Sequence, residues 1–514
     1  SCMAKKAPEL KRSMTAGQME MISLGGAIGV GLFMGASSTI KWTGPSVLLA
    51  YIFVGVILYI VMRALGEMLY IDPGTGSFAD YASEHVHPIA GYLAEWANVF
   101  QYIVVGISEV VATTEYLRFW WKGTSDWIAG IIIILFLLIA NLASAKAYAT
   151  LEFWFAMIKV VTITLMILLG LAVILFGFGN GGHPVGFSNL WSHGGFFTGG
   201  IKGFFFSMAI IVGSYEGIEL IGISAGEVSD PHKAIIKSVK SVLWRILIFY
   251  VGAIFVIVTI YPWNKLDSIG SPFVTTFAKV GITAAASVIN FVVLTAALSG
   301  ANSGIYSSSR MLYKLAHEGE APKTFGYISK RIVPSHAIIG ITSGILIGFM
   351  LNVLAQFLNK SFANIFVIVY SSSVLPGMVA WFVILLAELR FRRKNPDLME
   401  DHPFKLPLYP YSNYFALIML VVIVIFMFIN PETQISVSVG ALVLIVAAIV
   451  YIIKHRKENV KIVVDIKVKN NLDVLFLAKD TQEYKTIYFA AILLSTRVRI
   501  DNSYSFNSNL VLYF

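Results

Sequence analysis

The chain has 514 residues, of which 57% are hydrophobic and only 13% charged, and its mean hydropathy is +0.76. A soluble protein of this length needs more surface charge, so the composition indicates a protein embedded in a lipid bilayer. The formal net charge is +9, but the basic residues recur in short loops rather than in one patch, which argues against a nucleic-acid partner. The single cysteine, Cys2, excludes an internal disulfide and a cysteine-based metal site within one chain.

Twelve apolar segments follow a polar leader at 1–17. Each approaches the roughly 20 residues that a helix needs to cross the hydrocarbon core, and only helices satisfy their own backbone polar groups at this hydropathy. The first segment is too long for the apolar part of a cleavable signal peptide, so it is expected to remain as a span. The predicted segments are 18–40, 46–71, 87–113, 126–143, 153–177, 203–225, 243–262, 280–304, 335–355, 362–386, 411–430 and 433–453.

Charge asymmetry between alternate loops predicts that both termini are cytoplasmic. With the N-terminus inside, the outer loops keep only scattered cations such as Lys41, Lys122 and Lys360. The inner loops hold Lys146, Lys233, Lys237, Lys240, Arg245, Arg310, Lys314, Lys323, Lys330, Arg331, Arg390, Arg392, Arg393, Lys394 and Lys405. The membrane domain is thus predicted at 18–455. The tail at 456–514 has no functional interpretation, and little regular structure is expected in it.

Glycines interrupt segments one and six. Segment one contains GGAIGVGLF at 25–33, and segment six contains GSYEGIE at 213–219. A glycine inside a helix costs roughly 1 kcal/mol relative to alanine, so both runs indicate either a close helix crossing or a broken helix. Matched positions one and six favour an inverted repeat of five helices plus five, in which broken helices present free backbone groups to a charged substrate. Non-helical backbone is therefore predicted near Gly29 to Gly31 and near Gly213 to Gly217.

The motifs resemble the amino acid–polyamine–organocation superfamily, in its bacterial amino acid transporter branch, and the resemblance runs from about 14 to 455. Overall, the sequence is similar to permeases for D-serine, D-alanine and glycine, and to those for aromatic or 4-aminobutyrate substrates. The matching stretches are GGAIGVGLF at 25–33, EFWFAMIKV at 152–160, GIELIG at 217–222 with AGE at 225–227, SPFV at 271–274, NFVVLTAALS at 290–299, ANSG at 301–304 and SRML at 309–312.

The resemblance implies a fold in which helices 1–5 and 6–10 are inverted repeats, helices 1 and 6 are discontinuous, and helices 11 and 12 are extra. It implies an amino acid site in which backbone N–H groups hold the substrate carboxylate, carbonyls meet its ammonium group, and Tyr215 covers it. The residues implied for this site are Ala27, Ile28, Gly29, Val30, Gly31, Gly213, Tyr215 and Glu216.

Two carboxylates lie inside segment six, where an unpaired charge is expensive. Glu219 is expected to be protonated or well paired, and the resemblance makes it part of the proton or gating network; the alternative is a structural hydrogen bond to a neighbouring helix. Glu216 departs from the family, which usually has a neutral residue there. It either contacts a substrate side chain or only strengthens the acceptor character of the pocket, and it can share a proton with Glu219.

Lys159 is expected near the cytoplasmic end of segment five, from which its ammonium group could reach the lipid headgroups. The resemblance favours another role. In proton-coupled relatives a lysine here points at the unwound first helix and fills the space that sodium occupies in sodium-coupled ones. Ser299, Asn302 and Ser303 either bond across helices or approach this lysine. Pro376, followed by Gly377, predicts a kink in segment ten.

The sequence therefore predicts a secondary transporter that imports amino acids across the bacterial cell membrane by proton symport and needs no other cofactor. A sodium-coupled symporter or an exchanger on the same fold remains the alternative. A membrane enzyme would need a nucleophile with a base, or metal ligands, facing one cavity, and no such motif is present in the sequence. A small neutral amino acid is the favoured substrate, and the oligomeric state has no sequence signal.

Overall fold

The computed structural model describes residues 15, 17, 18, 20, 28, 30–73, 77–224, 230–266, 272–282, 284–358 and 368–456, together with four short strands between 462 and 513. The helices are α1 Val30–Thr43, α2 Val47–Ile71, α3 Phe78–His85, α4 Pro88–Leu117, α5 Asp126–Ala143, α6 Ala145–Phe176, α7 Gly200–Tyr215, α8 Leu220–Ser224, α9 Pro231–Ile260, α10 Pro272–Lys279, α11 Ala285–His317, α12 Ser335–Leu358, α13 Val374–Lys394, α14 Tyr411–Ile429 and α15 Gln434–Arg456.

Eleven helical segments in this part of the chain are long and apolar enough to cross a membrane. They correspond to predicted segments two to twelve, which confirms the all-α membrane fold. The described part of predicted segment one is α1, whose 14 residues are too few to meet the same test alone. The total of twelve spans therefore stays a prediction.

Several helices extend well beyond their predicted apolar segments. The helix of the fifth segment, α6, begins at Ala145 rather than at 153. The Ser144 hydroxyl caps this helix by accepting a hydrogen bond from the backbone N–H of Ala147 at 2.9 Å. The seventh begins at Pro231 rather than at 243, and the eighth continues to His317 rather than ending at 304. Hydropathy marks only the apolar part of a helix, whereas the regular backbone hydrogen bonding extends the helix beyond that part.

Helices that stand five places apart in the predicted order pack against each other. These pairs are α1 with α7, α2 with α9, α4 with α11 and α5 with α12, while α6 packs against both α9 and α11. The pairing agrees with two related halves, 1–5 and 6–10, although the repeat itself stays a prediction. It brings the interrupted first and sixth segments side by side.

The polar residues of the membrane domain lie among its central helices. In the most apolar window of α4, 83% of the residues are buried, against 33% for α14. Large apolar side chains such as Ile132 on α5 and Ile418 on α14 are more than half exposed, which suits a lipid-facing surface. The windows of α4 and α11 are 83% and 78% buried, which keeps their polar side chains away from lipid. The window of α6 is only 39% buried, but Glu152 and Lys159 lie on its buried face.

Residues 445–514 form a second compact unit. Where the sequence predicts little regular structure, this unit contains four strands in the order β2-β1-β3-β4, all paired antiparallel. Val464 on β1 pairs with Phe476 on β2 and with Ile500 on β3. Alternating β-branched residues favour this local strand formation. The strands are β1 Ile462–Val468, β2 Leu472–Ala478, β3 Arg497–Asn502 and β4 Leu510–Tyr513.

Candidate functional site

The sixth segment is broken, and the break lies slightly further along the chain than predicted. The first part, α7, ends at Tyr215, and Glu216 leaves the helix with φ −59° and ψ 144°. Gly217 has φ +109°, a conformation that a residue with a Cβ rarely adopts. The chain becomes helical again at Leu220. The discontinuity is therefore confirmed, but it covers 216–219 rather than 213–217.

Gly213 is helical, contrary to the expectation that it belongs to the unwound stretch. The regular hydrogen bonding continues past it, because the backbone N–H of Glu216 still donates to the carbonyl of Val212 at 2.9 Å. A Cβ on Gly213 would lie 2.9 Å from a methyl group of Val374. Gly213 therefore permits a close helix contact between α7 and α13, and it lies in the last turn of α7, whose final carbonyls have no helical donor.

The first segment contributes the beginning of α1 to the same region. Ile28 is buried and stands outside regular helix, and α1 begins at Val30. Gly31 is already in the first helical turn, where we expected unwound backbone. The first N–H groups of a helix have no partner within it, so Val30 and Gly31 still present donors. Ala27 and Gly29 lie outside the described residues.

Tyr370, just before the predicted kink of segment ten, is the aromatic residue that lies over Gly31. A Cβ on Gly31 would stand 2.5 Å from the Tyr370 hydroxyl oxygen and 3.2 Å from Ser214 Oγ. The same hydroxyl bonds to the Ser214 side chain. Sequence reasoning did not identify Tyr370 as a site residue, because nothing in its local pattern shows that segment ten reaches segment one.

Tyr215 points into a cluster of tyrosines. Its hydroxyl donates to the carbonyl of Tyr51 at 3.1 Å, and its ring centroid is 5.0 Å from that of Tyr250. The Tyr250 hydroxyl in turn donates to the carbonyl of Ser214 at 2.7 Å. These contacts support the end of α7 from the side of α2 and α9. The predicted covering role of Tyr215 stays a prediction.

The kink predicted at Pro376 appears as an interruption at Ser373. Residues 368–372 are helical, Ser373 is a turn, and α13 begins at Val374. Proline has no N–H, so the carbonyl of Ser372, four residues earlier, loses its helical donor. Gly377 follows, and a Cβ there would collide with the carboxylate of Glu216. The absence of a side chain at Gly377 thus leaves room for the Glu216 carboxylate against segment ten.

Glu216 and Glu219 are both buried at the break of the sixth segment. Gln101 Nε2 donates to Glu216 Oε2 at 3.2 Å, while Glu216 Oε1 accepts no hydrogen bond from the residues that the structure describes. Glu219 Oε2 accepts from the backbone N–H of Gly217 at 3.0 Å and from Trp381 Nε1 at 3.4 Å. Glu219 therefore stabilises the break itself, and Glu216 offers an acceptor atom beside it.

Lys159 lies in the middle of α6 and is fully buried. Its Nζ donates to the carbonyl of Ile28 at 2.5 Å and to Ser299 Oγ at 2.7 Å. The alternative of a lysine reaching the headgroups is wrong, because the ammonium group is buried and bonds to other helices instead. Lys159 thereby joins α6 to the interrupted first segment and to α11.

Glu152 is the residue of this region that sequence reasoning missed. Both of its oxygens accept hydrogen bonds from α11: Oε1 from the Ser299 hydroxyl, and Oε2 from Asn302 Nδ2 at 3.2 Å. Asn302 Oδ1 accepts from Asn141 Nδ2 at 2.9 Å. The usable signal was the spacing of seven residues between Glu152 and Lys159, which places both on one face of a helix.

A cluster of three acidic residues elsewhere has suitable spacing for a metal ion but already holds a cation. Asp80, Glu95 and Glu318 bring their oxygens close together. The Lys314 ammonium group contacts Asp80, lies 2.5 Å from Glu95 and is 3.4 Å from Glu318. Burial raises the pKa of Asp80 although Lys314 opposes the shift. An ammonium group in the centre makes this an ion-pair cluster rather than a metal centre.

The chain is similar to known proteins over most of its length. A family profile described as "Amino acid permease" matches residues 18–464. The "Probable threonine/serine transporter YbxG" of Bacillus subtilis (strain 168) is 52% identical over 449 residues, which cover 87% of this chain and 96% of that protein. The "Uncharacterized amino acid permease YtnA" of the same organism is 43% identical over 458 residues, 88% of this chain and 98% of that protein. The "D-serine/D-alanine/glycine transporter" of Escherichia coli (strain K12) is 41% identical over 426 residues, 83% of this chain and 90% of that protein.

Proposed function

Because the chain belongs to the amino acid permease family and transports amino acids across a membrane, we propose that it imports them by proton symport with alternating access. The substrate occupies the space between the start of α1 and the break at 216–219. Its carboxylate accepts from the N–H groups of Gly29, Val30 and Gly31, and its ammonium group meets carbonyls near Ala27, Gly213 and Glu216. The helix start favours the negative charge.

The favoured substrate is a small neutral amino acid. The relatives named for threonine and serine, and for D-serine, D-alanine and glycine, support this size and charge. Tyr370 and Tyr215 close the site from two sides, and Tyr370 already lies against Gly31. Glu216 Oε1 offers a hydrogen-bond acceptor to a substrate side chain.

Proton coupling rests on one observation, the hydrogen bond from Lys159 Nζ to the carbonyl of Ile28 at 2.5 Å. A cation at this position satisfies the carbonyl of an interrupted helix, as a sodium ion would in a sodium-coupled relative. When Lys159 is protonated, the bond holds the first segment against α6 and α11. Loss of the proton weakens the bond and frees the first segment to move. Glu219 accepts hydrogen bonds at the break of the sixth segment, and these bonds change when the first segment moves against that break.

The test is uptake into proteoliposomes with pH and sodium gradients imposed separately. The wild type should accumulate substrate with an inward proton gradient and be indifferent to sodium. Lys159→Ala should lose proton-driven accumulation by at least about tenfold, because it removes the titrating group. It should still exchange internal for external substrate.

Lys146→Ala is the matched control, because Lys146 lies on the same helix but is exposed. It should behave as the wild type. Accumulation driven by sodium alone, or normal proton-driven accumulation by Lys159→Ala, contradicts the proposal. Strict dependence on internal amino acid would identify an exchanger instead.

A further inference from the structure

A continuous line of hydrogen bonds runs from Lys159 to Glu152. Lys159 Nζ donates to Ser299 Oγ at 2.7 Å, and the Ser299 hydroxyl donates to Glu152 Oε1. The serine oxygen thus accepts from the amine while its own proton points at the carboxylate. This polarity is the one that a proton transfer from lysine to glutamate requires.

All three residues of this line are fully buried. An isolated ammonium or carboxylate is expensive at such a position, whereas a pair that is neutral overall is tolerated. The pair is neutral overall both before and after a proton moves from Lys159 to Glu152, so the transfer leaves the net charge of the buried region unchanged. Among the residues that the structure describes, Glu109 on α4 is a second carboxylate that acts electrostatically on Lys159.

We propose that Glu152 is the proton acceptor of Lys159 and that Ser299 relays the proton between them; this rests on the proposed role of Lys159. The N–H bond of Lys159 that points at Ser299 breaks, and the proton forms an O–H bond with Ser299 Oγ. The original hydroxyl proton of Ser299 passes to Glu152 Oε1. An ammonium–carboxylate pair becomes an amine and a carboxylic acid, and the serine is restored.

A stacked pair of tyrosines lies one helical turn before Glu152, toward the N-terminal end of α6. Tyr148 lies four residues before Glu152, and its ring stacks on that of Tyr306 with centroids 4.3 Å apart. The Tyr148 hydroxyl donates to Ser303 Oγ at 3.3 Å. This end of α6 is the predicted cytoplasmic end. We place the exit of the Glu152 proton on that side, past the tyrosine pair.

The experiment compares proton entry with substrate exchange in the full chain. Proteoliposomes contain a pH-sensitive dye, and L-serine, L-alanine and glycine are added outside under an inward proton gradient. Glu152→Gln and Ser299→Ala should reduce substrate-induced acidification by at least about tenfold, because each interrupts the relay. Both should retain exchange of labelled for unlabelled substrate within about twofold of the wild type, since neither contacts the proposed substrate site.

Ser308→Ala is the matched control. Ser308 is also buried on α11, but its hydroxyl donates to the carbonyl of Gly304 in the same helix at 2.6 Å and has no place in the relay or the exit. It should acidify the vesicles at the wild-type rate. If Glu152→Gln does not fold, as judged by lost exchange, Ser299→Ala decides the question alone.

Three results would overturn a part of the scheme. Wild-type acidification by Glu152→Gln and Ser299→Ala, with loss only in Lys159→Ala, removes the relay and leaves the coupling role of Lys159. Wild-type acidification by Lys159→Ala removes the coupling role of Lys159 and the relay with it, although proton symport would still stand. If Ser299→Ala loses both substrate exchange and acidification, these residues have a structural role.

Discussion

Gly31 is the residue at which an added side chain should harm substrate binding most directly. A Cβ there would already stand 2.5 Å from the Tyr370 hydroxyl oxygen, and a longer side chain would fill the proposed carboxylate site. Gly31→Leu should therefore weaken binding. Overpacking of about 1–3 kcal/mol corresponds to roughly 5- to 150-fold in affinity. The measurement is the ligand-induced rise in melting temperature, screened against the amino acids.

Gly123→Leu provides the comparison, because a Cβ on Gly123 has no atom within 4 Å. This variant should respond to the same ligands as the wild type. Undiminished affinity in Gly31→Leu would move the carboxylate site away from the start of α1.

Single residues also show the limits of sequence reasoning at this scale. Lys159 was recognisable because a lysine within an apolar run is rare and usually functional. Glu152 was not, because it lies one residue before the predicted start of segment five at 153 and so looked like part of a loop. The capped start of α6 at Ala145 puts it inside the helix instead. An error of eight residues in a helix boundary thus concealed a buried carboxylate.

At the scale of elements, the break of the sixth segment depends on Gly217. Its φ of +109° is unfavourable for any residue with a side chain, and such strain costs about 1–3 kcal/mol. Gly217→Ala should therefore lower the melting temperature and weaken substrate binding, because the carbonyls and the Glu219 hydrogen bond at the break shift together. Thermal unfolding in detergent with and without ligand measures both effects.

The comparison variant for this prediction is Gly344→Ala. Gly344 lies in the regular helix α12, and the nearest atom to an added Cβ is the end of the Ile103 side chain at 3.2 Å. A helical alanine there should be tolerated better. Equal melting temperatures for the two variants would show that the break does not require a glycine.

Across elements, composition located the breaks but not their limits. The glycine-rich stretches of the first and sixth segments were predicted to interrupt helices. The sixth segment is broken at 216–219, and in the described part of the first segment Ile28 stands outside regular helix. The limits differ because Gly213 and Gly31 are helical, and each makes a close contact instead. Glycine permits both an open backbone and a close approach, and only the neighbouring helix decides which of the two a given glycine serves.

At the scale of the whole molecule, the chain is a transporter rather than an enzyme, as its family and relatives are. Its orientation is open to a labelling test, since the sequence has one cysteine, Cys2. In a Cys2→Ser background, Lys122→Cys should react with an impermeant maleimide in intact cells. Lys146→Cys should react only after the membrane is permeabilised. Both native lysines are exposed, so access depends on the side of the membrane.

The inner loops carry most of the cations, and this asymmetry sets the expected orientation. The reverse labelling pattern would invert the whole topology and put the N-terminal end of α6 outside. The exit proposed for the Glu152 proton would then open to the wrong side, although the hydrogen bonds from Lys159 to Glu152 would be unaffected.

The sequence by itself determined that this protein lies in a membrane, is built from long helices and is interrupted in its first and sixth segments. Hydropathy reports the solvent that each stretch prefers, and glycine content reports where a helix is weak. Only the tertiary structure decided that Lys159 meets Ser299 and Glu152, and that Tyr370 lies over Gly31. Those partners come from helices far apart in the chain, and the packing of α1, α6, α11 and the tenth segment brings them together. Local pattern carries no information on which buried polar groups will find each other.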